Sequence, residues 1–219
     1  MELFLYVRTL VTIAIIDYGV GNVKSLKRSL EEVGANAKIT ADEKELKAAD
    51  ALVLPGVGAF KPAINKLKPL IPLIMEETEN GKVMLGICLG LQLYFTESLE
   101  GVKGDEEPYK GLDIIKGTVK HFPKDMGLKI PHMGWNSLNI VKEDHPLFQG
   151  LEEESYVYFV HSYYGDAENE DQILTTTDYG IEFPSSVGQD NVFATQFHPE
   201  KSGKVGLQIL TNYLNFIKK

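Results

Sequence analysis

The chain has 219 residues, 43% of them hydrophobic, which is enough to bury one substantial core, and its 22 basic and 31 acidic side chains leave a net charge of −9. That charge repels nucleic acid and anionic membranes over most of the surface, so neither is expected as a partner. A single cysteine excludes an internal disulfide and any multi-cysteine zinc site, and neither a metal nor a cofactor is expected.

Residues 1–8 carry no basic stretch ahead of their apolar part and no small-residue cleavage site, and no apolar run approaches the roughly 20 residues that span a bilayer. The chain is therefore expected to be soluble and cytoplasmic. Arg8 and Arg28 are the only arginines, so any phosphate chemistry is expected to belong to a partner. Residues 12–17 form a β-branched run ending in the glycine loop Tyr18-Gly19-Val20-Gly21, as a buried strand would. Lys24 stands where a dinucleotide fingerprint needs its third glycine, so a nucleotide site is not favoured. A helix follows, with Asn22 as N-cap, Val23, Leu26, Leu30 and Val33 on one face, and Gly34 as the stop. The alternation continues with a strand at 37–40, a helix at 42–48, a strand at 51–54, a helix at 69–80 and a strand at 83–87. Such alternation predicts an α/β fold with a mostly parallel central sheet and flanking helices. Beyond Gly101, polar turns separate short β-like runs at 113–121, 137–141, 156–164, 173–177 and 192–197, expected as antiparallel additions to that sheet, with a closing helix at 204–219. Segments 101–110 and 167–172 are acidic connections too short to divide the chain into domains.

Cys88 sits in Gly86-Ile87-Cys88-Leu89-Gly90, at the switch from the 83–87 strand to a helix. Open α/β sheets place their ligands at the carboxyl ends of the strands, and a helix start favours a sulfur anion there. Two flanking glycines leave room for a tight turn and a close substrate, which favours a nucleophile over a merely buried thiol. His198 and Glu200 are two apart in a segment read as extended, with Pro199 holding it so, and would project from the same side as general base and orienter. His121, His132 and His145 are assigned ordinary structural roles. The loop Pro55-Gly56-Val57-Gly58 follows the 51–54 strand into the same crevice, and the N–H groups of Val57 and Leu89 are the natural donors to an oxyanion.

Pro55-Gly56-Val57-Gly58, Gly86-Ile87-Cys88-Leu89-Gly90-Leu91-Gln92, His161-Ser162-Tyr163 and Gln196-Phe197-His198-Pro199-Glu200 together resemble a class I glutamine amidotransferase. Residues 16–22, 55–60 and Pro131-His132-Met133-Gly134-Trp135-Asn136 further resemble the family of glutaminase subunits of imidazole glycerol phosphate synthase. The resemblance runs from about residue 12 to 217, implies a flavodoxin-like amidotransferase fold for residues 12–219, and leaves residues 1–11 as an N-terminal extension. It also implies hydrolysis of L-glutamine to glutamate and ammonia through a thioester on Cys88, with His198 and Glu200 completing the triad. Gly58, Gln92, Glu100, Ser162 and Tyr163 are implied around the glutamine. The implied partner is a (βα)8-barrel synthase subunit that receives the ammonia and makes imidazole glycerol phosphate and AICAR in histidine biosynthesis. Met133, Trp135, Asn136, Tyr158 and Lys201 are implied to face it, and Gly134 between two large apolar groups suggests a shaped loop. Two rivals stay open on the sequence alone: the thiol subunit of another synthase or hydrolase, and a non-catalytic flavodoxin-like binding module.

Overall fold

A computed structural model of the chain describes residues 10–218. Of the extension assigned to 1–11, residues 1–9 lie outside those described; Val11 already belongs to the fold, its carbonyl accepting the Asn36 N–H at 2.8 Å. The first half alternates strand and helix: β1 (Thr12–Ile16), α1 (Val23–Glu32), β2 (Asn36–Thr40), α2 (Glu43–Ala48), β3 (Ala51–Leu54), α3 (Phe60–Leu67), α4 (Ile71–Glu79), β4 (Val83–Ile87) and α5 (Leu89–Tyr94). The second half is mostly β: β5 (Phe95–Ser98), β6 (Tyr109–Lys110), β7 (Ile115–His121), β8 (His132–Ser137), β9 (Asn139–Ile140), β10 (Tyr156–His161), β11 (Tyr163–Ala167), β12 (Ile173–Asp178), β13 (Glu182–Gln189) and β14 (Val192–Thr195), closed by α6 (Gly203–Ile217).

The main sheet has the order β2-β1-β3-β4-β14-β13-β12-β9. Its first five strands are parallel and the rest antiparallel. The inner parallel strands β1, β3, β4 and β14 are apolar on both faces because both are covered, whereas the edge strand β2 exposes Asn36 and Lys38. Ala14, Ile16, Leu52 and Leu54 meet Phe60, Leu67 and Ile74 on one side, whereas Ile13, Ile15, Ala51 and Val53 meet Leu26, Leu30, Ile209 and Leu210 on the other.

Three expectations are corrected. The run at 192–197 supplies β14, which lies parallel to β4, not antiparallel. The run at 156–164 is two strands that part at Ser162: β10 pairs with β8 in a two-stranded sheet, and β11 joins a separate sheet of order β11-β7-β5-β6. Gly134 sits not in a loop but inside β8, opposite Phe159, with φ 136. Among the described residues no helix is long and apolar enough to cross a membrane.

Candidate active site

β4 delivers Cys88 to the carboxyl end of the parallel strands, where its backbone turns into α5 with φ 56 and ψ −107. A non-glycine residue held there stores on the order of 1–3 kcal/mol of strain. Two hydrogen bonds hold the turn: Cys88 N–H donates to Thr195 O on β14 at 2.7 Å, and Gln92 N–H donates to Cys88 O at 3.2 Å. The elbow needs its glycines for closeness. A Cβ on Gly90 would lie 1.9 Å from Leu54 O, and one on Gly56 would lie 2.7 Å from Leu89 Cβ, so β3, the loop after it and α5 approach as only glycine allows. Cys88 is only 6% exposed, yet it lines a cavity of about 390 Å³ together with Val57, Gly58, Leu89, Gln92 and His198. Gln196 Nε2 donates to its sulfur at 3.7 Å, a contact that suits an anionic sulfur.

The chain leaving β14 brings His198 to the same cavity, and His198 Nδ1 meets Glu200 Oε1 at 2.8 Å with both side chains almost wholly buried. The pairing arises differently from the extended spacing expected. His198 is extended, but Pro199 opens a 3-10 turn, Pro199–Lys201, and the turn folds the carboxylate back onto the imidazole. Burial opposes charge on His198, but Cys88 and Glu200 outweigh it and lift the imidazole to about 9. Nε2, the nitrogen not engaged by Glu200, is buried, and Cys88 acts on the imidazole together with Glu200.

The glycine loop is fastened at both ends. Tyr18 Oη donates to Pro55 O at 2.7 Å, and Phe60 N–H donates to Glu100 Oε2 at 2.7 Å. Between these anchors Gly58 takes φ 95 and Val57 is 41% exposed. Glu100 lies beyond the end of β5, and burial raises its carboxyl above the usual range against the opposing Phe60 N–H. Gln92, on α5 one turn after the thiol, is buried; its Nε2 donates to Tyr163 O at 2.9 Å and Gln196 Oε1 at 3.2 Å. Ser162 and Tyr163 line the cavity at the parting of β10 and β11.

The structure thus brings nine of the sequence-predicted residues to one cavity wall, namely Val57, Gly58, Cys88, Leu89, Gln92, Glu100, Ser162, Tyr163 and His198, with Glu200 behind His198. Sequence reasoning gave no role to Gln196, Tyr18 or His161. Gln196 has a legible signal in retrospect, a polar residue two before His198 in an otherwise apolar run, whereas Tyr18 becomes meaningful only once β1 and β3 are neighbours. Of the residues assigned to a partner-facing surface, Met133 and Trp135 on β8, Tyr158 on β10 and Lys201 in the turn after His198 lie apart from the cavity lining. Met133 is 66% and Trp135 55% exposed, so neither is core. The Trp135 ring stands edge-on to Tyr158 with centroids 6.2 Å apart, and Lys201 Nζ lies 5.6 Å over the Tyr158 ring. Asn136 points inward, donating from Nδ2 to Asp178 O at 2.8 Å.

The sequence profile of the family Glutamine amidotransferase class-I matches residues 14–215. Curated relatives named "Imidazole glycerol phosphate synthase subunit HisH" include one from Archaeoglobus fulgidus, 50% identical over 94% of this chain and 100% of that protein. Another, from Caldanaerobacter subterraneus subsp. tengcongensis, is 51% identical over 94% of this chain and 98% of its own length. Among solved structures, PurLQS from Thermotoga maritima superposes with a TM-score of 0.73 at 18% identity over 95% of this chain and 99% of that one. A glutamine amidotransferase crystal structure gives 0.71 at 18% identity, covering 94% and 99%. These two likenesses establish the fold.

Proposed function

This chain belongs to the class I glutamine amidotransferases, and we propose that it is the glutaminase subunit of an imidazole glycerol phosphate synthase in histidine biosynthesis, releasing ammonia from L-glutamine for a partner subunit. The observation that carries this reading is the meeting of Cys88, His198 and Glu200, from two separate stretches of chain, at one cavity. In the proposed reaction the Cys88 thiolate attacks the side-chain carboxamide carbon of glutamine. The oxygen anion that forms is held by the N–H groups of Val57 and Leu89, each worth about 3 kcal/mol in comparable sites. His198, protonated beside Glu200, gives its proton to the leaving nitrogen, so the C–N bond breaks and ammonia departs. His198 then takes a proton from water as the hydroxyl attacks the thioester, glutamate leaves, and the thiolate returns beside the imidazolium. Gly58, Gln92, Glu100, Ser162 and Tyr163 are assigned to hold the glutamine, with Glu100 suited by charge to its α-ammonium.

The partner is proposed to be a (βα)8-barrel synthase that combines the ammonia with a phosphorylated substrate to give imidazole glycerol phosphate and AICAR, a lyase-type step in a cytoplasmic heterodimer that channels ammonia. The exposed apolar strip of Met133 and Trp135, with Tyr158 and Lys201 beside it, is assigned to that interface because a large exposed aromatic in a polar surround is a common binding anchor, while Asn136, whose side chain turns inward, backs the strip. Two arginines in the whole chain suit a subunit that leaves phosphate binding to its partner. The test mixes the chain with such a barrel subunit and measures glutamate release. Wild type is expected to release it, faster when the barrel carries a substrate analogue, and Cys88→Ala to release none. Equal release by Cys88→Ala would overturn the assignment.

A further inference from the structure

Two histidines with no part in the proposed triad form a continuous hydrogen-bonded line, His161 at the cavity wall and His132 buried behind it. His161 Nδ1 lies 2.9 Å from Tyr163 O, His161 Nε2 lies 3.1 Å from His132 Nδ1, and His132 Nε2 lies 3.3 Å from Asn136 Nδ2. The direction of the line is fixed by its ends. A carbonyl can only accept, so His161 carries its proton on Nδ1 and offers a lone pair at Nε2. His132 must therefore donate from Nδ1 and accept at Nε2. Asn136 can only donate from Nδ2, and its amide cannot be turned over, because Oδ1 accepts Ser137 N–H at 2.9 Å while Nδ2 also donates to Asp178 O at 2.8 Å. Both imidazoles are thus neutral, each in the Nδ1–H form, with every ring nitrogen used.

The surroundings enforce that state. His132 is stacked between Phe159 and Tyr179, with centroids at 4.7 and 3.9 Å, and Phe183 stands edge-on to it. Burial holds His132 down to about 4 and His161 down to about 3, and the titratable groups facing His161 are His132 and His198. A charged His161 would repel the imidazolium at His198, so neutrality here serves the triad. Tyr163 O accepts from both His161 Nδ1–H and Gln92 Nε2–H, which joins the line to the side chain one turn beyond Cys88. At its other end, Asn136 stands on β8 beside the exposed Trp135.

Resting on the function proposed above, we propose that Asn136, His132 and His161 are positioning residues: a one-way chain of neutral hydrogen bonds that sets the Tyr163 carbonyl and Gln92 on the glutamine pocket and ties both to strand β8. The first test reads the line without any turnover. In the 15N-labelled full chain, long-range 1H–15N correlations are expected to show His132 and His161 as Nδ1–H forms unchanged between about pH 5.5 and 8.5. An Nε2–H form, or titration near the usual imidazole value, at either ring would overturn the proposal. Asn136→Asp puts an acceptor where a donor is required, so His132 should leave the Nδ1–H neutral form; if it stays, the line does not exist. The second test is His132→Phe, which keeps a ring in the stack and removes both bonds. It is expected to lower kcat/KM for glutamine about tenfold, chiefly through KM, the scale of one lost buried hydrogen bond. Wild-type KM with an unmoved His161 signal would refute the positioning role; should His132→Phe fail to fold, His132→Asn, which can still donate to His161, is expected to recover part of the KM. Absence of glutamate release by the wild-type complex would instead sink the assigned function, while the nitrogen spectra would still decide the hydrogen-bonded line.

Discussion

Adding one methyl group at Gly90 should damage stability and catalysis together, because α5 crosses β3 with no room for a side chain. An alanine Cβ would fall 1.9 Å from Leu54 O and 2.9 Å from Leu54 C, whereas real Cβ atoms essentially never approach below 3.0 Å. The obstacle is backbone in a fully buried parallel strand, so it cannot swing aside, and the two elements must part by about 1 Å. Overpacking of this kind costs about 1–3 kcal/mol, which for a chain of this size lowers the melting temperature by about 2–12 °C. The displaced element is the one that carries the Leu89 amide and begins immediately after Cys88. A misplacement of that size at a reacting centre reduces rate about 100-fold. Thermal melts of Gly90→Ala, paired with glutamate release by the complex, measure both effects. A variant with wild-type melting and wild-type turnover would show that the approach of α5 to β3 is not what sets the elbow.

Other outcomes follow from separate parts of the molecule. His198 titrates near 9 in the fold and near 6.5 when unfolded, so its stabilising charge is fully present below about 6.5 and is lost as pH rises through 9. Urea midpoints should therefore fall over that interval in wild type and fall less in Glu200→Gln; identical slopes would refute the pairing as their cause. Lys82 bridges α4 to α2, pairing with Glu77 at 2.5 Å and donating to Leu46 O and Lys47 O, so Lys82→Met should cost about 3 kcal/mol by leaving Glu77 unpaired. That loss should appear in denaturant melts with turnover of the folded chain intact. Trp135→Ala should leave the isolated chain within about 0.5 kcal/mol of wild type yet weaken barrel binding, by calorimetry, about thirtyfold.

The inner strands of the parallel half are legible in the sequence because each is a largely apolar run between glycine-rich or polar turns, β2 is legible by its alternation, and the Cys88 elbow is legible because glycine flanks it on both sides. α3 escapes such reading because Pro62 lies in its first turn and looks like a break, although a proline there forfeits only an N–H that has no helical partner. β13 escapes it because Pro184, Ser185 and Ser186 read as a turn. In the fold they are buried: Ser185 shares a hydrogen bond with Thr175 at 2.8 Å, Ser186 donates to Ala194 O at 2.8 Å, and Pro184 falls beside a register irregularity where no ladder donor is needed. The end of α5 escapes it because Phe95 passes directly into β5 with no glycine or proline to announce the change. The site shows the same division. Residues that react are marked by their local turns, whereas Gln196, His132 and His161 look merely polar until distant strands bring their partners within reach.

The glycine loop behaves as a short span resting on two fixed piers, Pro55 under the Tyr18 hydroxyl and Phe60 under the Glu100 carboxylate. A span so held can rotate a single peptide plane by counter-turning the torsions on either side of it, while the strand before and the helix after stay still. The direction in which the Val57 amide points is thereby a local variable, decoupled from the packing that determines melting behaviour. Substitutions at the exposed Val57 that leave the piers and the two glycines beside it in place belong to a class whose effects are visible to kinetics and silent to calorimetry.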